Sequence, residues 1–166
     1  AEQDAKVSIF DRAFLFADSV YEVTSVLNGK LVDFDNHIER LKRSMKELNF
    51  GPTINEEEFL TFHRKLVDLN EIKEGIVYLQ VSRGIAERDF AFPDSKTALT
   101  ITAFTQKKNL IDNPSVHNGI SIVTIDDLRW KRCDIKTTQL LYPSMAKTEA
   151  MKQGADDAWM VQNGYV

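Results

Sequence analysis

Lys136 is the side chain of this sequence best placed for covalent chemistry. It stands in "RCDIKTTQLLYPSMAK", between Ile135 and two threonines, where an apolar segment gives way to a helix. A lysine held out of water or beside other cations favours its neutral amine. That amine is a nucleophile and adds to carbonyl carbons as a Schiff base. Arg129, Lys131 and Arg132 precede it closely, although alternation turns some of them outward. Most lysines are solvated, and spacing alone favours an ordinary surface lysine at Lys136. Other chemistries find less support. His37, His63 and His117 share no metal-ligand spacing, and the lone Cys133 cannot build a zinc site, so no metal is expected. "SRGIAERDF" has one glycine and "LNGK" is hairpin chemistry, so no phosphate loop is present. Ser19 and Ser144 lack the context of a nucleophile elbow.

Several elements must position these residues. "VYEVTSVLNGKLVDF" predicts a β-hairpin, because Asn28-Gly29 takes the positive φ angles of a tight turn. In "DNHIERLKRSMKEL", Ile38, Leu41, Met45 and Leu48 recur at helical spacing behind an Asp35 cap. A second helix, "NEEEFLTFHRKLVDL", opens on Asn55 and Glu58 in capping-box spacing and carries Phe59, Phe62, Leu66 and Leu69. Three β-rich runs follow: "GIVYLQVSRG", "TALTITAFT" and "GISIVTIDDLRW". Then come the helix "PSMAKTEAMKQ", with Pro143 in its first turn and Gly154 past its end, and the strand of "DDAWMVQNGYV".

This mixed order predicts an α/β (α+β) protein. Its expected divisions are a small domain over 1–107, a linker over 108–118 in the polar "QKKNLIDNPSVHNG", and the start of a second domain over 119–166. The chain stops two residues past Asn163-Gly164, as a hairpin cut midway would, and the second region is too short to close a core of its own. With 43% apolar and 28% charged residues and a net charge of −4, nothing suggests a nucleic-acid groove or an acidic membrane surface as partner. No apolar run is long enough to span a bilayer, and the first residues lack the regions of a secretory signal. The single cysteine fits a reducing compartment. A cytoplasmic protein is the expectation.

Three stretches carry a resemblance that reaches over nearly the whole chain: "RWKRCDIKTTQLLYPSMAKTEAMKQGADDAWMVQNGYV", "DRAFLFADSVYEVTSVLNGKLVDFDNHIERLKRS" and "YLQVSRGIAERDFAFP". They resemble the D-amino-acid aminotransferase branch of the fold-type IV pyridoxal-phosphate enzymes. The resemblance implies a small N-terminal α/β domain followed by a larger β-barrel-like domain, here truncated at both ends. It implies pyridoxal 5'-phosphate as cofactor, with Lys136 of "DIK" forming the Schiff base. Arg40 of "HIERL" would contact the cofactor phosphate; Tyr21 and Val23 of "VYEV" would lie by the substrate; Arg88 of "RGIAERDF" would bind substrate carboxylate. The implied reaction is ping-pong transfer of an amino group between D-amino acids, such as D-alanine, and 2-oxo acids, in a homodimer whose Arg88 serves in trans.

The match departs at definite places. Where such enzymes carry a histidine two residues after the arginine, this chain has Phe90, which weakens the carboxylate clamp and makes the pocket more apolar. Where they favour glycines, Ala13, Ala17 and Ser19 stand instead. The acidic partner of the cofactor's pyridine nitrogen would follow just after Val166, so the chain alone is expected to be incomplete for activity. An (R)-selective amine transaminase, a branched-chain aminotransferase, an aminodeoxychorismate lyase and a silent binding or dimerisation module are the alternatives.

Overall fold

The computed structural model describes residues 2–166. Its elements run α1 (Arg12–Phe16), β1 (Ser19–Leu27), β2 (Lys30–Leu31), α2 (Phe34–Glu47), α3 (Glu56–Leu69), β3 (Glu74–Ser82), β4 (Thr100–Lys107), α4 (Pro114–Asn118), β5 (Ile122–Asp126), α5 (Leu141–Lys152) and β6 (Asp157–Val161). They group into two compact units. Of the described residues, one holds 2–108 together with Ile135–Thr138; the other holds Asn109–Asp134 and Gln139–Val166.

In the first unit an antiparallel sheet has the order β2-β1-β3-β4. The turn that starts it is the Asn-Gly turn expected, with Asn28 at φ 51° and Gly29 at φ 74°. Burial alternates along β1: Val20, Glu22, Thr24 and Val26 are buried, and the odd-numbered residues between them are half-exposed. Val77, Leu79 and Val81 continue the buried side on β3. α2 and α3 supply the apolar residues that cover this side, Ile38, Leu41 and Met45 from one and Phe59 and Val67 from the other. Each such side chain withdrawn from water contributes about 1.5–3 kcal/mol.

α3 starts as expected, with the Asn55 side chain accepting from the Glu57 and Glu58 amides. α2 does not. Its cap position is Asp33, in the left-handed region at φ 56°, whose side chain accepts from Asn36 Nδ2 at 2.6 Å but caps no helix amide, and Asp35 lies inside the first turn. There its carboxylate still favours the positive end of the helix dipole. Two short helices were not expected. α1 is capped by Asp11, whose Oδ1 accepts from the Ala13 amide at 2.8 Å. α4 lies in the polar segment read as linker, where Asn113 caps Ser115 and Pro114 takes the first turn.

In the second unit β5 and β6 form a parallel pair, and α5 connects the chain between them. Ala146 and Ala150 are the buried residues of α5. After β6 the chain turns through Asn163 and Gly164, both at positive φ, and Gln162 pairs with Tyr165.

Candidate functional site

The chain places Lys136 by pairing its segment with β1. Thr137 bridges Val20 in antiparallel fashion, the Tyr21 amide donates to the Lys136 carbonyl at 3.1 Å, and the Thr138 amide donates to the Ser19 carbonyl at 3.2 Å. Ile135 and Thr137 are buried, so alternation sends the intervening Lys136 to the other side. That side is the one Tyr21 occupies, and Lys136 Nζ stands 4.1 Å from the centre of the Tyr21 ring. Among the described residues Nζ has no ion-pair or hydrogen-bond partner, and the segment is secured through its backbone instead. The Lys136 amide donates to Ser44 Oγ of α2 at 3.4 Å, and the Ser19 and Thr138 hydroxyls lie 2.5 Å apart. No carboxylate holds this side chain, which leaves its nitrogen open to a carbonyl carbon.

Tyr21 belongs to a row of aromatic rings running across three strands. It stacks on Tyr78 of β3 at 5.6 Å, and Tyr78 stacks on Phe104 of β4 at 4.8 Å. Val23 is the register partner of Tyr78. Burial, and then the neighbouring Tyr21, raise the Tyr78 phenol above its ordinary value, so it stays a neutral donor, here to Gln80 at 2.9 Å. A groove of about 380 Å³ adjoins this face, lined by Ala17, Gln80, Ser82, Thr102 and Thr138 among others.

Arg40 approaches from α2. Its Nε and Nη2 donate to the two oxygens of Glu22 at 2.8 and 2.6 Å, and His37 Nδ1 lies 2.8 Å from the same carboxylate. The Glu22 hydrogen bonds raise the Arg40 guanidinium above its already high ordinary value, against the lowering effect of burial. Glu22 was missed in the sequence. Its signal is its place in "VYEV": a carboxylate in register with Val20, Thr24 and Val26 is buried and must be paired. It is 1% exposed, whereas Arg40 is 44% exposed. Glu22 therefore fixes one edge of the guanidinium fork, and among the described residues Nη1 has no hydrogen bond. That donor set suits an anion such as a phosphate, met by a planar guanidinium that the sheet itself orients.

Lys136, Tyr21 and Val23 thus share one face of β1, whereas Arg40 joins the strand at Glu22, on its buried side. Arg88 and Phe90 stand apart. Both are exposed, and Arg88 lies over the rings of Phe16 and Phe90, 5.4 Å from each centre. Among the described residues no hydrogen bond, ion pair or ring contact joins either to Lys136, Tyr21 or Arg40. No group of described histidine, cysteine or acidic side chains is arranged to hold a metal ion.

Known proteins resemble this chain in both sequence and fold. D-alanine aminotransferase of Staphylococcus aureus (strain MSSA476) is 42% identical over 157 residues, covering 93% of this chain and 55% of that protein. The chain therefore spans about half the length of this curated relative. Among solved structures, a fold IV-transaminase from Curtobacterium pusillum superposes with a TM-score of 0.80 at 20% identity, over 98% of this chain and 57% of that one. A hypothetical aminotransferase from Mycobacterium tuberculosis in its PLP-bound form superposes at 0.72 and 21% identity, over 96% and 57%. At these identities the structures show the fold, which is that of the fold-type IV aminotransferases. Residues 19–166, from the first residue of β1 to the last of the chain, match the family model of amino-transferase class IV, and to that family this chain belongs.

Proposed function

We propose that the protein to which this chain belongs is a pyridoxal-phosphate-dependent aminotransferase. It moves amino groups between D-amino acids, such as D-alanine, and 2-oxo acids by a ping-pong mechanism. The observation that carries this reading is the Lys136 amine, unpaired and set over the Tyr21 ring by the register of its segment. The D-alanine aminotransferase relative supports the substrate class. Of the residues present, Lys136 would hold the cofactor covalently and Arg40, steadied by Glu22, its phosphate. When bound, the cofactor supplies an aldehyde carbon for the lysine and a ring that holds the charge left as a proton departs. The Lys136 amine would also move the proton at the substrate Cα, which is general acid–base work. Tyr21 and Val23 line the substrate side, and Arg88 receives the carboxylate from the partner copy of a homodimer. The protein works in the cytoplasm, with a small domain over 1–107, a linker over 108–118 and the cofactor-binding domain from 119 onward.

The test is reduction with borohydride after incubation with pyridoxal phosphate, followed by peptide mapping of the full-length protein. A single adduct on Lys136 is expected, and Lys136→Ala should abolish transamination. Adducts spread over surface lysines, or turnover retained by the variant, would overturn the reading. Phe90 favours a second reading, an (R)-selective amine transaminase. Its ring offers no hydrogen bond to a carboxylate and is 80% exposed on the same loop as Arg88. Comparing D-alanine with a carboxylate-free chiral amine separates the two.

A further inference from the structure

We propose that Arg12 and Phe16, one turn apart on α1, are positioning residues. Together they clamp the loop over 86–93 and so set where Arg88 and Phe90 stand. The inference deepens the reading above, since it rests on Arg88 as the carboxylate-binding residue.

The observation behind it is a carboxylate with two buried arginines. Arg83 alone satisfies Asp18: its Nε and Nη2 donate to the two oxygens at 2.8 and 3.0 Å. The rest of its fork is used on the Leu48 and Asn49 carbonyls at 2.7 and 3.0 Å, and its face covers Phe92 at 3.8 Å. Yet Arg12, 3% exposed, also donates to Asp18, through Nε at 2.6 Å. A second buried cation on a carboxylate already neutralised carries a desolvation cost with no matching charge. Something besides Asp18 must account for it.

The rest of the Arg12 guanidinium supplies the reason. Nη1 donates to the Asp89 carbonyl at 2.9 Å, midway between Arg88 and Phe90. Among the described residues this is the only hydrogen bond that ties 87–93 to the rest of the chain. Residues 87–92 are exposed, and Arg83 meets them at the Phe92 ring, beyond Arg88 and Phe90. Phe16 completes the clamp. Its ring lies under Arg12 at 4.6 Å, meets Phe90 at 5.6 Å and is covered by Arg88 at 5.4 Å. The planar fork of Arg12 can hold Asp18 and Asp89 at once, whereas a lysine ammonium is a single point charge on a flexible stem and cannot reach both. Asp18 thus aims Arg12, and Arg12 with Phe16 holds the loop.

The experiment uses the full-length protein and two variants, Arg12→Lys and Phe16→Leu. Hydrogen exchange reads the clamp directly, whether or not the protein is a transaminase. Arg12→Lys should speed exchange of the Ala86 and Ala91 amides, the two that are hydrogen-bonded in this stretch, by about tenfold or more and leave β1 and β3 unchanged, with a smaller increase for Phe16→Leu. In turnover, KM for D-alanine should rise by about tenfold with kcat within about twofold, and a carboxylate-free amine should be unaffected. Unchanged loop exchange in both variants overturns the clamp, as does faster exchange that extends equally into β1 and β3. A faster loop with unchanged KM for D-alanine, or equal losses for both donors, overturns its link to the carboxylate. Should Arg12→Lys fail to fold, the Phe16→Leu exchange decides alone. A wild-type protein without transamination refutes the proposed function, and the exchange result still decides the clamp.

Discussion

At the scale of the residue, the buried polar groups of the first unit divide by how they are satisfied. Glu22 is paired with Arg40 and lies within hydrogen-bond distance of His37, both on α2, while His63, on α3, has no ion-pair partner. Its Nδ1 lies 2.6 Å from the Phe59 carbonyl, which can only accept, so Nδ1 carries the proton. The ring packs between Phe34 and Phe62, and burial, more than any neighbouring charge, lowers its pKa from the ordinary 6.5. Because the folded value lies below the unfolded one, the unfolded chain binds more protons in between. Stability is therefore complete above about pH 6.5 and falls as the pH drops toward the folded value, by at most about 1.4 kcal/mol per pH unit. Urea unfolding between pH 7.5 and 5.5 should show that loss, flattened in His63→Phe; the same slope in both proteins would refute it. The sequence marked His63 only as a non-ligand, because its burial depends on the angle at which α3 meets its neighbours. Glu22 was missed although its place in the alternation marks it as buried; its partners carry no such mark, since they lie fifteen and eighteen residues along on a helix.

At the scale of the element, the three positions where the resemblance leads one to expect glycine separate cleanly. Ala17 ends α1 in the left-handed region, at φ 52° and ψ 29°, with its amide still bonded to the Ala13 carbonyl. An L-residue with a Cβ loses roughly 1–2 kcal/mol there, of which glycine returns part in unfolded-state entropy. Ala17→Gly should therefore raise stability by about 0.5–1 kcal/mol. Ala13 lies within α1, where glycine costs about 1 kcal/mol. Ser19 lies in β1, and glycine there would also lose the hydroxyl contact with Thr138. Thermal unfolding of the three single variants should show one gain and two losses; a loss at Ala17 would remove the argument from strain. Local signals of this kind made most elements legible: Asn28-Gly29 gave the hairpin and Asn55 the start of α3. α1 was not, because five residues are too few for a helical period to register. Nor was the pairing of Thr137 with Val20, since no local pattern announces a contact between residues so far apart in the chain.

At the scale of the molecule, the feature to be explained is an apolar surface on the first unit. Phe10, Phe14, Ile85, Phe90 and Phe92 are all exposed. Backbone pairing keeps them adjacent: Asp11 bridges Ile85, and the Ala86 amide donates to the Phe10 carbonyl at 3.3 Å. Contiguous apolar surface of this kind marks a contact site, and here it includes the loop that carries Arg88. That coincidence has a simple geometric consequence. Within one chain Arg88 meets neither Lys136 nor Tyr21, so a face that docks a second copy is what would bring it to an active site. We therefore propose this face as the homodimer contact. Phe14, 72% exposed, is its natural probe, because a carboxylate placed there would be desolvated without a partner. In the full-length protein, Phe14→Glu should weaken the dimer by about 30-fold or more in sedimentation equilibrium, the loss of an aromatic anchor worth about 2 kcal/mol. Leu69→Glu, at an equally exposed position at the end of α3, should leave it intact. If both variants remained dimeric, Arg88 would need another route to the carboxylate; if only Phe14→Glu dissociated and also lost activity on D-alanine, the loop would serve the site of the partner.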